Sequence, residues 1–194
     1  MIKVLPRFFY NRPTLTVARE LIGARLVRIL EGVKLAGLIT ETEAYIGEDD
    51  LACHAKAGLT PRTAPMYGLA GHAYIYFTYG NHWMLNAVTE RRGFPAAVLI
   101  RAIQPLEGVE VMLERRQGRD MLGPGKLTQA MGIAKSENNL DLTDAASSLR
   151  IEAGIFVPDE SVTIGARVGL NKTPEPWYSK PWRFLVKEPI LGIR

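Results

Sequence analysis

Apolar and polar positions along the first forty residues predict one helix followed by two strands. Thr14–Ile22 has the apolar spacing of a helix that is capped by its own first threonine or by Thr16 and that ends before Gly23. Arg25–Leu30 and Val33–Thr40 are rich in branched apolar residues and are separated by a Glu-Gly pair, which is typical of strands joined by a turn. The second strand leads directly into an acidic stretch.

An aromatic-rich stretch further along the chain predicts a β-hairpin. Its strands are Ala73–Thr78 and Trp83–Val88, and its turn lies around Gly80 and Asn81. Side chains alternate between the two faces of a strand, so one face of the first strand carries tyrosines and the other carries Ile and Phe. Tyr79 falls at the turn, where a large aromatic side chain has little core to enter and is expected to project.

The rest of the pattern predicts further strands and short helices. The predicted elements are a strand at Ala96–Ile103, a helix at Pro105–Arg116, a helix from Pro124 to Met131, and strands at Ile151–Val157 and Ser161–Val168. The sequence contains no repeat or linker that would divide it. We therefore predict a single α+β (mixed α/β) domain over residues 1–194, with a curved, mostly antiparallel sheet, peripheral helices and a protruding β-hairpin.

Composition and charge narrow the class of protein. Of the 194 residues, 47% are hydrophobic, and 24 basic against 20 acidic residues give a net charge of +4, which favours anionic partners. Cys53 is the only cysteine and there are three histidines, which excludes a disulfide framework and a multi-cysteine zinc site. Since no long apolar run occurs, we expect an intracellular protein without membrane association, cytoplasmic and nucleoid-associated if bacterial.

Two carboxylates and a phenol are predicted to share one face of the second strand. If that strand continues past Thr40, then Glu41, Glu43 and Tyr45 point to the same side, next to an apolar run. Burying a carboxylate there costs several kcal/mol unless it is paired, hydrogen-bonded or exposed in a cleft. An edge strand with its acidic face in water is the alternative interpretation.

A single arginine interrupts the apolar strand at residues 96–103. Arg101 cannot lose its charge, so it needs a carboxylate, a backbone carbonyl or a ligand phosphate as its partner. Glu43 is a candidate for that partner. A purely structural ion pair is the alternative to a functional one.

Residues 47–71 lack periodicity, and a long irregular segment within a compact domain is often functional. Asp49 or Asp50 is predicted to cap a short helix that ends near Ala57. This helix would contain His54, for which a structural role is the alternative to a functional one.

These features together suit an enzyme that acts on a base extruded from a DNA duplex. A carboxylate beside an arginine can activate water, tyrosines can stack on the extruded base, and Tyr79 can fill the gap that the base leaves. The helix after Gly123 adds an N-terminus and Lys126, which are suited to bind the phosphate backbone. The alternative interpretation is that Gly123 and Pro124 simply begin a helix and bind no phosphate.

A series of short motifs runs along nearly the whole chain. They are Glu41-Thr42-Glu43-Ala44-Tyr45, His54-Ala55, Thr60-Pro61-Arg62, Tyr74-Ile75-Tyr76-Phe77-Thr78-Tyr79-Gly80, Asn86, Leu99-Ile100-Arg101-Ala102, Gly123-Pro124-Gly125-Lys126-Leu127, Ala166-Arg167-Val168-Gly169 and Pro181-Trp182-Arg183-Phe184. Their order and spacing together are specific. On these motifs, the sequence resembles the alkyladenine (3-methyladenine) DNA glycosylase family.

The resemblance implies roles in the chemical step. Glu43 matches the general base that deprotonates the attacking water. Arg101 matches the residue that helps to hold this water, together with the backbone carbonyl at Val168. Lys126 matches a contact to the DNA phosphate backbone.

The resemblance also implies how the damaged base is held. Tyr45 and His54 match one wall of the base pocket and Tyr76 matches the opposite wall, so that the base is sandwiched. Asn86 matches a residue that crowds the exocyclic amino group of guanine and so excludes normal guanine by a clash. Tyr79 matches the intercalating wedge at the hairpin tip.

Such a family member would be a monofunctional DNA glycosylase of base excision repair. Water would hydrolyse the N-glycosidic bond of flipped-out alkylated or deaminated purines (3-methyladenine, 7-methylguanine, hypoxanthine or ethenoadenine) and leave an abasic site. The resemblance implies no metal and no cofactor, double-stranded DNA containing damaged purines as the partner, and a monomer. Asn81 departs from the family pattern, because many relatives carry a bulky apolar residue there, and this calls a second apolar contact at the flipped site into question.

Two other classes of protein remain compatible with parts of the sequence. A module that binds damaged DNA without cleaving it would keep the tyrosines and the basic surface, but it would not need Glu43 beside Arg101. A metal-dependent nuclease could use acidic and histidine side chains as ligands, namely Glu41, Glu43, Asp49, Asp50 and His54. It would require Mg²⁺ and would break strands directly.

Overall fold

A curved antiparallel sheet forms the centre of the structure, a computed structural model that describes residues 3–78 and 80–186. In chain order its strands are β1 (Arg25–Leu30), β2 (Val33–Ile46), β3 (Ala73–Thr78), β4 (His82–Val88), β5 (Ala96–Glu107), β6 (Leu149–Glu152), β7 (Val162–Gly165) and β8 (Arg183–Val186). They lie in the order β3-β4-β5-β2-β1-β6, while β8 pairs with both β2 and β7. All pairs are antiparallel, so the predicted α+β fold is confirmed.

Short helices lie beside this sheet. They are α1 (Arg7–Tyr10), α2 (Thr14–Glu20), α3 (Val109–Arg115) and α4 (Pro124–Met131). Turns of 3₁₀ helix lie at His54–Ala57, Ala64–Tyr67, Lys135–Glu137 and Asp159–Ser161. In the described part of the chain, no helix has the length and apolar surface that crossing a bilayer requires.

The main hydrophobic core lies on one side of the central strands. Leu38, Ala44 and Ile100 are almost completely buried there, together with Val17 of α2 and Leu127 of α4. Burying one large aliphatic side chain contributes about 1.5–3 kcal/mol relative to leaving it exposed. A second, smaller apolar cluster contains Cys53, Ala55, Met66, Tyr74, Val88 and Ala97. Cys53, Met66 and Tyr74 of this second cluster also line a cavity beside the sheet.

A bulge interrupts the pairing of β2 with β5 at the acidic stretch. Glu41 is opposite Ala102, but Thr42 is opposite Ile100, so Arg101 is an extra residue in its strand. Bulges change the direction of a side chain and are frequent beside active sites. This bulge brings the guanidinium of Arg101 to the carboxylates of β2.

The helix predicted at Pro105–Arg116 begins later than the sequence pattern indicates. Strand β5 continues past Pro105, and α3 begins only after Gly108, whose φ of 68° makes the turn between them. Pro105 pairs with Gly37 at a second bulge, where a sheet tolerates a residue without an N–H. The predicted helix start was wrong because a proline fits a bulged strand as well as a first helical turn.

A distant side chain caps α2. Pro13 occupies the cap position, and neither predicted threonine caps the helix with its own side chain. Instead, the backbone N–H and the hydroxyl of Thr14 both donate to Oε1 of Glu90, at 2.8 and 2.9 Å. The helix also ends at Glu20 rather than at Ile22. A contact across 76 residues is not visible in a local pattern.

The predicted hairpin is confirmed, while the later strands differ from prediction. β3 has the predicted bounds, and β4 begins one residue early, at His82. β6 and β7 are four residues each, shorter than the predicted Ile151–Val157 and Ser161–Val168. β8 lies in an aromatic and basic stretch where no strand was predicted, because its pairing with β2 depends on tertiary contact.

Candidate active site

Glu43 is a fully buried carboxylate on β2. Oε1 accepts the backbone N–H of Val168 at 2.7 Å, and Oε2 accepts the Tyr45 hydroxyl at 2.8 Å. Nη1 of Arg101 lies 3.3 Å from Oε2. Burial raises the pKa of Glu43, while Arg101 and the two hydrogen bonds partly offset that increase. The carboxylate is therefore fixed in position and takes up a proton more readily than one in water.

Arg101 bridges the two carboxylates of β2. Its Nε donates to Oε1 of Glu41 at 2.8 Å, and Nη1 of Arg183 lies 3.2 Å from the same oxygen. Burial lowers the pKa of Arg101, but Glu43 and Glu41 raise it by more, so it lies above its ordinary value. The suggested partner Glu43 is thus present, and Glu41 is closer.

A cavity of about 410 Å³ opens beside these charges. This volume lies in the range of pockets that hold small molecules. Tyr45, Arg101 and Val168 form part of the wall, and Glu43 lies directly behind them. The wall also contains His54, Tyr76, Asn86 and Lys126. The fold therefore brings the predicted pocket residues together around one cavity.

His54, Tyr74 and Tyr76 form an aromatic cluster in this wall. Nδ1 of His54 is 3.0 Å from the Tyr74 hydroxyl, and the imidazole packs edge-on against Tyr76 with 4.3 Å between ring centres. Burial, followed by the charges of Arg62 and Lys56, lowers the pKa of His54 to about 4, so this ring is neutral at pH 7.

The contact between His54 and Tyr76 corrects one part of the predicted pocket. A base stacked between two rings needs roughly 7–8 Å between them, which is twice an ordinary contact distance. His54 and Tyr76 therefore do not form opposite walls in this arrangement, because the hydrogen bond to Tyr74 holds the imidazole on the same side as Tyr76. The sandwich of a base by Tyr45 and Tyr76 stays a prediction.

Asn86 is a buried part of the cavity wall on β4. Its Nδ2 donates to the backbone carbonyl of Tyr74 at 3.0 Å, which fixes the side chain. Exclusion of guanine by a clash requires such a fixed group. That role stays a prediction.

Most of the chain matches one protein family. Residues 8–189 match methylpurine-DNA glycosylase (MPG). The chain belongs to this family. Three relatives each carry the name "Putative 3-methyladenine DNA glycosylase". They come from Methanocella arvoryzae (47% identical, covering 98% of this chain and 96% of the relative), Myxococcus xanthus (46%, with 95% and 90% covered) and Chlorobaculum parvum (43%, with 98% and 91% covered).

Two residues were predicted to touch DNA outside the base pocket, namely Lys126 and Tyr79. Lys126 of α4 lines the cavity, and its Nζ lies 2.8 and 3.0 Å from the two carboxylate oxygens of Asp120. Its charge is therefore already paired at the surface. Tyr79 lies outside the described residues, so its intercalating role stays a prediction.

The ligand set of a metal-dependent nuclease does not come together. Residues 3–78 and 80–186 contain no group of three or more His, Cys, Asp or Glu side chains that could hold a metal ion. Glu41 and Glu43 face Arg101, and Asp50 binds a different arginine, Arg167. Glu41 and Glu43 thus share one arginine, while Asp50 is bound by another.

Sequence reasoning gave no role to Arg167, which packs against Tyr45 of the cavity wall. Arg167 is buried between the rings of Tyr45 and Trp182 and is paired with Asp50. The sequence indicates Asp50 only as a helix cap or a metal ligand, but the predicted helix is a 3₁₀ turn whose cap is Cys53. A signal did exist: Arg167 stands between Ala166 and Val168, and the reasoning that gave Arg101 a carboxylate partner applies to it equally.

Proposed function

We propose that this member of the methylpurine-DNA glycosylase family hydrolyses the N-glycosidic bond of an alkylated or deaminated purine flipped out of duplex DNA. The observation that carries the proposal is Glu43, a buried carboxylate oriented by two hydrogen bonds and placed beside Arg101 behind a cavity of suitable size. A module that only binds damaged DNA has no use for a carboxylate whose burial is costly.

In this proposal, Glu43 acts as the general base. A water molecule between Arg101 and the backbone of Val168 gives its proton to Glu43 while its oxygen attacks C1′ of the flipped nucleotide. The bond from C1′ to the base nitrogen breaks, and its electron pair leaves with the base. Positive charge that develops on the sugar is stabilised by the nearby carboxylate.

The aromatic wall suits both cationic and neutral purines. 3-Methyladenine and 7-methylguanine are already good leaving groups when they carry a charge, and the faces of Tyr45 and Tyr76 attract that charge. His54 does not repel it, since a pKa of about 4 leaves the imidazole neutral at pH 7. Hypoxanthine and ethenoadenine need protonation or hydrogen bonds from backbone N–H groups near His54. Asn86 excludes normal guanine.

The proposed product is an abasic site in an intact strand. Strand cleavage by a glycosylase requires an amine nucleophile, and the lysine in the cavity wall, Lys126, is bound to Asp120. Water is therefore the nucleophile in this proposal. Double-stranded DNA is the partner, Tyr79 fills the gap left by the base, and a monomer works on the DNA of the cell without a metal or cofactor.

Single-turnover base release in EDTA tests the proposal, with a duplex that carries one hypoxanthine and, in parallel, methylated DNA. Wild type is expected to release bases from both and to yield strand breaks only after alkaline treatment. Glu43→Gln is expected to slow release by roughly 10²–10⁴-fold, the usual contribution of a general base, while it still binds the damaged duplex.

Glu137→Gln provides a matched control for this experiment. Glu137 is also buried and paired with an arginine, but its partner Arg28 does not line the cavity, whereas Arg101, the partner of Glu43, does. The Glu137→Gln variant should release base at the wild-type rate. Tight binding of the damaged duplex by wild type without base release would contradict the proposal, and activity that depends on Mg²⁺ would point to the nuclease instead.

A further inference from the structure

A buried ion pair lies behind the cavity wall of the proposed site. The side chains of Arg167 and Asp50 both have 0% exposure. Nη1 donates to Oδ2 at 2.6 Å and Nη2 donates to Oδ1 at 2.9 Å, so the pair is held by two parallel hydrogen bonds. Replacing such a pair by apolar residues is often neutral or stabilising. Stability alone therefore does not account for its presence here.

Arg167 connects several parts of the site. Its two terminal nitrogens also donate to the backbone carbonyls of Ala44 and Trp177, at 3.0 and 3.2 Å. Its guanidinium lies between two aromatic rings, 4.7 Å from the centre of Tyr45 and 4.9 Å from that of Trp182. Tyr45 lines the cavity whereas Arg167 and Trp182 do not. The cation thus supports the tyrosine from behind.

The residue after Arg167 makes the shortest hydrogen bond to Glu43. The Val168 N–H donates to Oε1 of Glu43 at 2.7 Å. Val168 lies outside the helices and strands and is 47% exposed, so the packing of its own side chain does not hold this N–H in place. The side chain of Arg167 ties the same segment to β2 and to Asp50.

We infer that Arg167 and Asp50 are positioning residues for the reaction, which hold the Val168 N–H and the Tyr45 hydroxyl on the carboxylate of Glu43. They act through these neighbours, because neither side chain reaches the cavity. The consequence for catalysis rests on the function proposed above. The consequence for the carboxylate itself does not, since it can be measured without DNA.

Loss of the ion pair should make Glu43 easier to protonate. A carboxylate that loses an N–H donor has a higher pKa, because the donor stabilises the charged form. The other charged and titratable groups near Glu43 are Arg101, Tyr45, Glu41 and, beyond Glu41, Arg183, and all of them remain. Removing both members of the ion pair leaves the net charge unchanged, so a shift would report the lost hydrogen bonds.

The experiment follows the titration of Glu43 by ¹³C NMR of side-chain carboxyl groups in the full chain without DNA, with Glu43→Gln to assign the signal. The main variant combines Arg167→Met with Asp50→Asn, which keeps a long side chain between the rings and an acceptor for the Ala52 N–H. We expect the midpoint of Glu43 to rise by about one pH unit, which corresponds to about ten-fold slower base release at a pH well below the wild-type midpoint. Raising the pH should restore much of the rate.

A second buried ion pair serves as the matched control. Arg28 and Glu137 lie 2.8 Å apart and do not line the cavity, so Arg28→Met with Glu137→Gln should leave the midpoint of Glu43 unchanged. An unchanged midpoint in the folded Arg167 and Asp50 variant would overturn the inference, and so would an equal rise in the control.

Arg167→Lys covers the case in which the double variant does not fold. It keeps the charge between the rings and loses one of the two parallel hydrogen bonds, so a smaller rise in the Glu43 midpoint is expected and no rise would overturn the inference. If wild type released no base while the midpoint still rose in the variants, the proposed function would fail and the positioning of Glu43 would stand.

Discussion

At the scale of single residues, the site is defined by a carboxylate whose burial works against its ionisation. Glu43 has no exposed surface, and burial is the largest influence on its pKa. Two hydrogen bonds and Arg101 keep the charged form accessible. In the proposed function this balance suits Glu43 to accept the proton of the attacking water, because a general base is most effective when its pKa approaches the working pH. The same balance makes the folded protein less stable than it could be.

Glu43→Gln should therefore be more stable than wild type at pH 7. Because burial raises the pKa of Glu43, the folded state binds more protons than the unfolded state between the ordinary value of 4.5 and the raised value. Stability from this group is thus present at low pH and is lost as the pH rises through that window. Replacing the Glu43 carboxylate by a neutral amide removes this loss of folding stability at pH 7.

Urea unfolding of both proteins at pH 7 and at pH 4 checks this expectation. The variant should have the higher urea midpoint at pH 7. The difference should shrink at pH 4, because protonation makes the carboxyl group of wild-type Glu43 neutral like the amide. A lower midpoint for the variant at pH 7 would show that Arg101 loses more from its missing partner than the fold gains.

At the scale of elements, the sequence predicted the helix and strand boundaries that are set by residues at the boundary itself. The hairpin has its turn at Gly80, and α4 ends at Gly132 with a φ of 62°, and both were predictable from the sequence. The start of α3 was not predictable, because Pro105 finds a bulge opposite Gly37 only after β2 and β5 have paired. β8 was missed for the same reason, since one of its partners, β2, lies far away in the sequence.

Helix α4 carries Lys126, the predicted phosphate contact, whose ammonium group is bound by Asp120. Asp120 accepts two hydrogen bonds from Nζ of Lys126, and the hydrogen bond from Lys126 is the main cause of the lowered pKa of Asp120. A phosphate must replace this carboxylate before Lys126 can bind the backbone. Asp120→Asn should therefore bind duplex DNA more tightly, by roughly two- to five-fold at low salt.

Fluorescence anisotropy with an undamaged duplex over a range of salt concentrations measures this effect. In the Lys126→Gln background, Asp120→Asn should give little gain beyond the removal of one negative charge. An equal gain in both backgrounds would mean that Asp120 simply repels phosphate and does not compete with it for Lys126.

At the scale of the whole molecule, the predicted pocket residues met around one cavity because most of them lie on paired strands. Tyr45, Tyr76, Asn86 and Arg101 stand on β2, β3, β4 and β5, which are neighbours in the sheet. The resemblance named these residues, and the alternation of side chains along each paired strand turns them toward the same cavity. The support from Arg167 and Val168 comes from an irregular segment, and no periodicity predicts where such a segment lies.

The two faces of β5 should therefore separate stability from activity. Ile100 is fully buried in the main core, whereas its neighbour Leu99 lines the cavity. Ile100→Val removes one methylene from a packed interior and should cost about 1 kcal/mol, or about 2–4 °C in Tm for a chain of this size. Its base release should stay within about two-fold of wild type, because the pocket wall is intact.

Leu99→Val makes the complementary change on the other face. A missing methylene in a binding pocket weakens the hold on a ligand by roughly ten-fold or more, so single-turnover base release at low enzyme concentration should fall by that factor. Calorimetry and base release on both variants test the separation. If Ile100→Val slowed base release as much as Leu99→Val, the core and the cavity would be mechanically coupled through β5, and the sheet could not be treated as a rigid support for Glu43 and Arg101.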